Sequence, residues 1–171
     1  MRGYRKRPGF SVPLVGASLF FIISLFLFVS YKNSAYQQAK KEIYSLYTAN
    51  RAFDLDEVYQ DGLTAIYAKE YGKTATEAGC EALEQTGLPY VLLLSQFSAP
   101  VERVYVTNCQ LSETGREKKA RTYDYTVSVR FCLEKGDEVL APEKTMDFHG
   151  TVVMKKKGWF RWLLDGVTLG E

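Results

Sequence analysis

The chain has 171 residues, 46% of them hydrophobic and 25% charged, with 22 Lys and Arg against 20 Asp and Glu. That length holds one ordinary domain. The charge balance gives no reason to expect nucleic acid as a partner, 14% aromatic residues exclude a disordered chain, and one His with three Cys leaves too few ligands for a common zinc site.

The basic residues are unevenly placed. Arg2, Arg5, Lys6 and Arg7 precede the first acidic residue, Glu42, so residues 8–171 keep 18 of the 22 basic side chains against 20 acidic ones. Between Arg7 and Lys32 nothing is charged, and Phe10 to Tyr31 reads FSVPLVGASLFFIISLFLFVSY. At ~1.5 Å per residue this run reaches roughly 33 Å as a helix, against about 30 Å for a hydrocarbon core. A helix satisfies its own peptide groups in lipid, and Pro13 falls near the start, where a missing N–H costs least. The spacing therefore predicts a transmembrane helix over 10–31. The four cations ahead of it predict a basic cytoplasmic tail over 1–9, with everything after Lys32 extracytoplasmic. A cleaved signal needs small residues at −3 and −1, and Asn33 spoils the best candidate, which ends at Ala35.

Beyond the apolar run, Tyr36, Ala39, Ile43, Leu46 and Tyr47 recur at three- and four-residue steps. They predict a juxtamembrane helix over 32–53, continuing out of the membrane. Asp54 with Glu57 has capping-box spacing and opens a helix with Leu55, Val58, Tyr59, Leu63, Ile66 and Tyr67 on one face, stopping at Gly72. Thr74 and Glu77 repeat the spacing for a shorter helix ending at Gly87, and Pro89 to Phe97 reads as a last helical turn or two. The Tyr59, Leu63, Tyr67 stripe is the expected cover for the sheet that follows.

After Pro100 the period becomes two. Val104 and Val106 alternate with polar neighbours; Tyr123, Tyr125, Val127, Val129, Phe131 and Leu133 line one side of a long strand; Met146, Phe148, Gly150, Val152 and Met154 line another. With SETGREKK, EKGDEVLAPE and KKKG as hairpin connectors and WFRWLLDGVTL as a fourth strand, the exported part is α+β, helices packed on a four-stranded antiparallel sheet. Its domain is expected over 54–171.

Helices followed by a strand meander that closes on Gly158, Trp159, Trp162, Leu163, Leu164, Asp165, Gly166 and Val167 resemble the nuclear transport factor 2-like fold over roughly residues 36 to 171. The resemblance implies a cone, a curved sheet wrapped on helices. A basic tail, one span and an exported domain of this kind resemble the single-span assembly subunits of bacterial type IV secretion and conjugation channels. That implies an interaction or assembly role in the cell envelope, with the membrane and envelope proteins as partners and oligomerisation left open.

Enzymes of that fold place an Asp, or an Asp and His pair, inside the cone. Asp147 and His149 share a strand face here, but it is the face opposed to Met146, Phe148 and Val152, so the pair is expected to point outward and no catalytic residue is assigned. Tyr59, Tyr67, Tyr123, Tyr125 and Phe131 are the candidate pocket lining, or simply core. Lys155, Lys156 and Lys157 with Trp159 are a candidate surface contact for anionic lipid or wall polymer, or a solvated turn. Cys80, Cys109 and Cys132 are an odd set to which no disulfide is assigned. A simple hairpin register would set Cys109 opposite a residue near Tyr125. Glycine-rich phosphate loops, HExxH and GxSxG are lacking, so no cofactor or metal is implied.

Overall fold

The computed structural model describes residues 12–48, 62–89, 101–133, 143–158 and 161–170. The chain divides into two compact units, Met1–Lys32 and Asn33–Glu171. The cations Arg2, Arg5, Lys6 and Arg7, together with Tyr59 and Trp159, lie outside the described residues.

The first unit holds helix α1 (Val12–Lys32). Its large apolar side chains from Leu19 to Val29 are all between 38% and 73% exposed, on every side of the helix. Among the described residues no single helix is long and apolar enough to cross a membrane.

The second unit begins with a break. The helix expected to run on from the apolar stretch is interrupted at Asn33 and Ser34, where Ser34 accepts from the Gln37 N–H at 3.3 Å and caps a new helix, α2 (Ala35–Thr48). A serine hydroxyl at this point satisfies an N–H that the first helical turn leaves without a partner. Helix α2 buries Ala35, Ala39, Ile43, Leu46 and Tyr47, the stripe the spacing predicts. It is not a separate juxtamembrane segment: these residues belong to the hydrophobic core of Asn33–Glu171, so the folded domain starts well ahead of position 54.

Helix α3 (Leu63–Tyr71) is the described part of the helix expected from Asp54 to Gly72; Asp54, Leu55, Glu57 and Val58 lie outside the described residues. Helix α4 (Glu77–Thr86) starts two residues later than the Thr74 and Glu77 spacing predicts. Its cap is Thr76, which accepts from the Gly79 N–H at 3.1 Å. Thr74 is unavailable as a cap because its carbonyl accepts from Leu164 N–H and the Thr76 N–H donates to Leu164 carbonyl, pinning this stretch as a parallel bridge beside the last strand. Gly87 ends α4 at φ 70°, the left-handed conformation glycine adopts freely. Of the turn expected over Pro89 to Phe97, residues 90–97 lie outside the described residues.

Four strands follow: β1 (Val101–Arg116), β2 (Ala120–Leu133), β3 (Glu143–Lys156) and β4 (Trp162–Leu169), antiparallel and in sequence order across the sheet. All six alternating residues of β2 from Tyr123 to Leu133 are buried, with Val152 and Met154 of β3 beside them. Residues 112–116, read as a connector, are instead strand, and the first turn is confined to Glu117–Lys119. Their charges are tolerated because Glu113 lies on the exposed end of the strand, where Arg116 and Arg121 pair with it. Lys155 and Lys156 are likewise strand residues.

Strand β1 carries an extra residue at three places, between Val101 and Arg103, Val106 and Asn108, and Glu113 and Gly115. Counted from the turn, the bulge between Glu113 and Gly115 comes first, and the register beyond it sets Leu111 opposite Tyr125 and Cys109 opposite Val127. The simple register had placed Cys109 two positions away because it centred the turn too early, on a connector starting at residue 112, whereas β1 runs on to Arg116. A fourth bulge falls on β4 at Asp165.

The sheet is covered by α2 and α4, with α3 lying against α4. Tyr47 packs edge-on against Tyr125 and on Phe148, with ring centroids 6.0 and 5.3 Å apart, and Tyr36 packs edge-on against Tyr123 at 6.0 Å. The Leu63 and Tyr67 stripe is thus not the main cover. Tyr67 reaches the core, Leu63 is 37% exposed, and the job falls to α2. Alternating burial on one sheet face against one helical stripe is how an antiparallel sheet and its helices share a core.

Candidate functional site

The candidate pocket residues are the core itself. Tyr67, Tyr123, Tyr125 and Phe131 are each at most 2% exposed, and Tyr67 stacks on Tyr71 at 6.1 Å. The hydroxyls of Tyr47 and Tyr125 lie 3.0 Å apart, and the Tyr125 hydroxyl donates to the Thr168 carbonyl at 3.0 Å, joining α2, β2 and β4 through the middle of the fold. With that proton committed to Thr168, Tyr47 is the donor in the pair. Burial, reinforced by the neighbouring ring, pushes the Tyr47 phenol far above its ordinary range, and burial also raises Tyr125. Both stay neutral.

Gly150 makes this arrangement fit. A Cβ there would run into the Thr168 carbonyl and stand 2.6 Å from the Tyr125 hydroxyl. A side chain at 150 would push the tyrosine off its acceptor.

Asp147 and His149 are exposed on the outer face of β3, as their alternation with Phe148 predicts. The partner of His149 Nδ1 is the Thr126 hydroxyl at 3.3 Å, and Thr151 donates to Asp124 at 3.1 Å on the same face. This is a polar outer surface. Among the described residues no group of three His, Cys, Asp or Glu is placed to hold a metal ion.

The three cysteines are apart. Cys80 lies in α4, directed at the Tyr67 carbonyl at 3.8 Å; Cys109 is buried on β1; Cys132 pairs with Arg103 at the other end of the β1 and β2 ladder. Burial raises the thiols of Cys80 and Cys109, which disfavours the thiolate that nucleophilic chemistry needs.

Polar clefts occur at one end of the sheet. One, of about 320 Å³, is lined by Lys118, Lys119, Lys156 and Gly158. A second, of about 210 Å³, lies between α2 and β4 and is lined by residues including Asn33, Lys41, Glu42, Lys73, Arg161 and Trp162. The Arg161 guanidinium donates to the Lys73 carbonyl. Burial holds the Glu42 carboxyl above its usual range, against the opposing effects of Lys41 and a hydrogen bond with Thr74. Asp165, turned out by its bulge, accepts from the Thr76 hydroxyl at 2.6 Å and from Lys155 at 3.3 Å, so the helix cap and the lysine run are tied to one carboxylate.

Of the surface cluster singled out in the sequence, Lys155, Lys156 and Lys157 are exposed at this end. The ring beside them among the described residues is Trp162, with the Arg121 guanidinium 5.5 Å and the Lys156 ammonium 5.9 Å from its centroid. Sequence reading missed Lys118, Lys119 and Arg121 as members of the same surface. The signal was available in the REKK run, because alternate hairpin turns of a meander return to one end of the sheet.

The fold is therefore an α+β domain, helices on one face of an antiparallel meander. No family model matches the chain, and no curated protein matches it. Among solved structures it is similar to one described as an Ntf2-like protein involved in plasmid conjugation, with a TM-score of 0.39 and 11% identity over 78% of this chain and 46% of that one. The chain thus spans about half the length of that structure.

Proposed function

We propose that this protein is a single-pass, membrane-anchored interaction module of a bacterial cell envelope, its domain outside the cytoplasm and serving as an assembly subunit, in the manner of conjugation and secretion channels. The observation that carries the reading is α1. Its large apolar side chains from Leu19 to Val29 are exposed on all sides, so this stretch has no polar face to turn to water and no stripe to bury, and it lies within the uncharged run Phe10 to Tyr31, which at ~1.5 Å per residue reaches about the thickness of a hydrocarbon core. The basic residues before that run set the N-terminus in the cytoplasm.

The domain supports binding over catalysis. Its centre is filled by hydrogen-bonded tyrosines, and the Asp147 and His149 pair stands on the outer face. The nuclear transport factor 2-like resemblance of the strand meander and its Trp-Leu-Leu-Asp-Gly ending belongs to the same reading. Function then lies in what the surfaces dock with, and the anchor raises the local concentration of the module at the membrane.

Crosslinking in the native membrane tests this. The expected result is a set of discrete larger species containing the chain, with the C-terminal half labelled by a membrane-impermeant reagent on intact cells. A chain that crosslinks to nothing, or whose C-terminal half is labelled only after lysis, overturns the proposal.

A further inference from the structure

The lysine-rich end of the sheet is built from two hairpins. The turn at Glu117–Lys119 and the one after Lys156 are held together by the Lys156 N–H, which donates to the Lys119 carbonyl at 2.8 Å. Gly158, at φ +76°, has nothing within 4 Å of where a Cβ would stand, so the cleft between the turns opens outward. Behind it the Trp162 ring carries Arg121 and Lys156 against its π-system, which holds two flexible cations in fixed positions.

Carboxylates here are mostly engaged. Asp165 is taken by Lys155, and Glu113 by Arg116 and Arg121, leaving Glu117 at the turn itself. Among the described residues Lys118, Lys119 and Lys157 enter no ion pair. A domain that is slightly acidic as a whole thus concentrates unpaired positive charge at one end.

That end is also where the chain enters the domain. Asn33 shares a cleft with Arg161 and Trp162, and it is the residue immediately after Lys32, the last of α1. Resting on the anchored reading above, we propose that this end docks on the anionic phospholipid head groups of the bilayer that receives α1. Lys118, Lys119, Lys156 and Lys157 meet the lipid phosphates. Charge complementarity and covalent continuity both favour this occupant, because cations at the entry point of an anchored domain stay within a Debye length of the head groups, roughly 8–10 Å. Docking would fix the domain's tilt and leave the opposite end of the sheet free for partner proteins.

The test uses the full chain in nanodiscs of phosphatidylcholine, with or without phosphatidylglycerol, and reads amine labelling of individual lysines by mass spectrometry. Labelling of Lys118, Lys119 and Lys156 is expected to fall severalfold when phosphatidylglycerol is present and to return in high salt, while Lys144, at the far end of β3, labels equally in both. The double substitution Lys118→Glu and Lys119→Glu should lower the docked-to-free ratio by about fivefold or more for each lysine, read as restored labelling of Lys156. Equal labelling in both lipids overturns the docking, as does protection by soluble polyphosphate without protection by phosphatidylglycerol, which assigns the surface to a wall polymer. Flotation with phosphatidylcholine vesicles reads the anchor separately. A chain that floats but shows no lipid-dependent protection overturns the docking alone, whereas one that fails to float overturns the anchored reading as well.

Discussion

Two helices that are neighbours in the sequence treat their apolar side chains in opposite ways. Helix α1 leaves Phe20, Phe21 and Ile22 at least 60% exposed, whereas α2 buries Ile43, Leu46 and Tyr47 to 1% or less. The difference lies in patterning. Helix α2 interleaves Gln37, Lys40, Lys41 and Glu42 with its stripe, so one face can meet the sheet and the other water. Helix α1 offers no second face, and no arrangement against one sheet would cover it. The contrast teaches that hydrophobicity alone does not build a core here; amphipathic spacing does.

The contrast breaks most sharply at Tyr47. Tyr47→Ala removes a fully buried ring that packs on Tyr125 and Phe148, and is expected to destabilise the domain by about 3–5 kcal/mol, seen as a lower denaturant midpoint of the full chain in detergent. The matching lesion in α1, Ile22→Arg, should act elsewhere. It is expected to cost about 2.5–3.5 kcal/mol of membrane insertion and to release the chain from membranes, while the unfolding midpoint of the domain stays put. If Ile22→Arg unfolded the domain, the separate roles of the two helices would fail.

Two milder changes sharpen the account of α2. Tyr47→Phe keeps the ring and deletes one hydroxyl; Tyr125 retains Thr168 as its acceptor, so a loss of about 1 kcal/mol is expected by the same denaturation measurement. Glu42→Gln should have the smallest effect, within about 1 kcal/mol. Burial raises the Glu42 pKa, so the folded state holds the proton more tightly than the unfolded chain does. Its contribution is therefore fully present below the ordinary carboxylate range and is lost as pH rises through the raised value. Thermal melts across that window should show the parent losing stability with rising pH and the Gln variant losing less.

The sheet was legible because β2 alternates without exception from Tyr123 to Leu133, and a period of two with one apolar side admits few other structures. The stripe of α2 was equally visible. What it covers was not, because several helices offered plausible stripes and only long-range packing decides among them. The cap of α4 shows a local rule giving way to a distant contact: Thr74 and Glu77 have the right spacing, but β4 claims the backbone around Thr74 through Leu164. The bulges of β1 left no clear trace in a sequence whose Glu113 and Gly115 read as a turn. The basic end was half legible, since the Lys155 to Lys157 run stands out while its union with Lys118 and Lys119 depends on how the hairpins return.

The three extra residues in β1 matter because β1 is an edge of the sheet, paired on one side only. A long edge strand with regularly spaced amides invites a second copy to zip alongside it, the first step toward fibrils. Each inserted residue throws the donor and acceptor spacing out of step, so a straight incoming strand finds no continuous run to match. The bulges in this way guard the β1 edge against strand-by-strand addition.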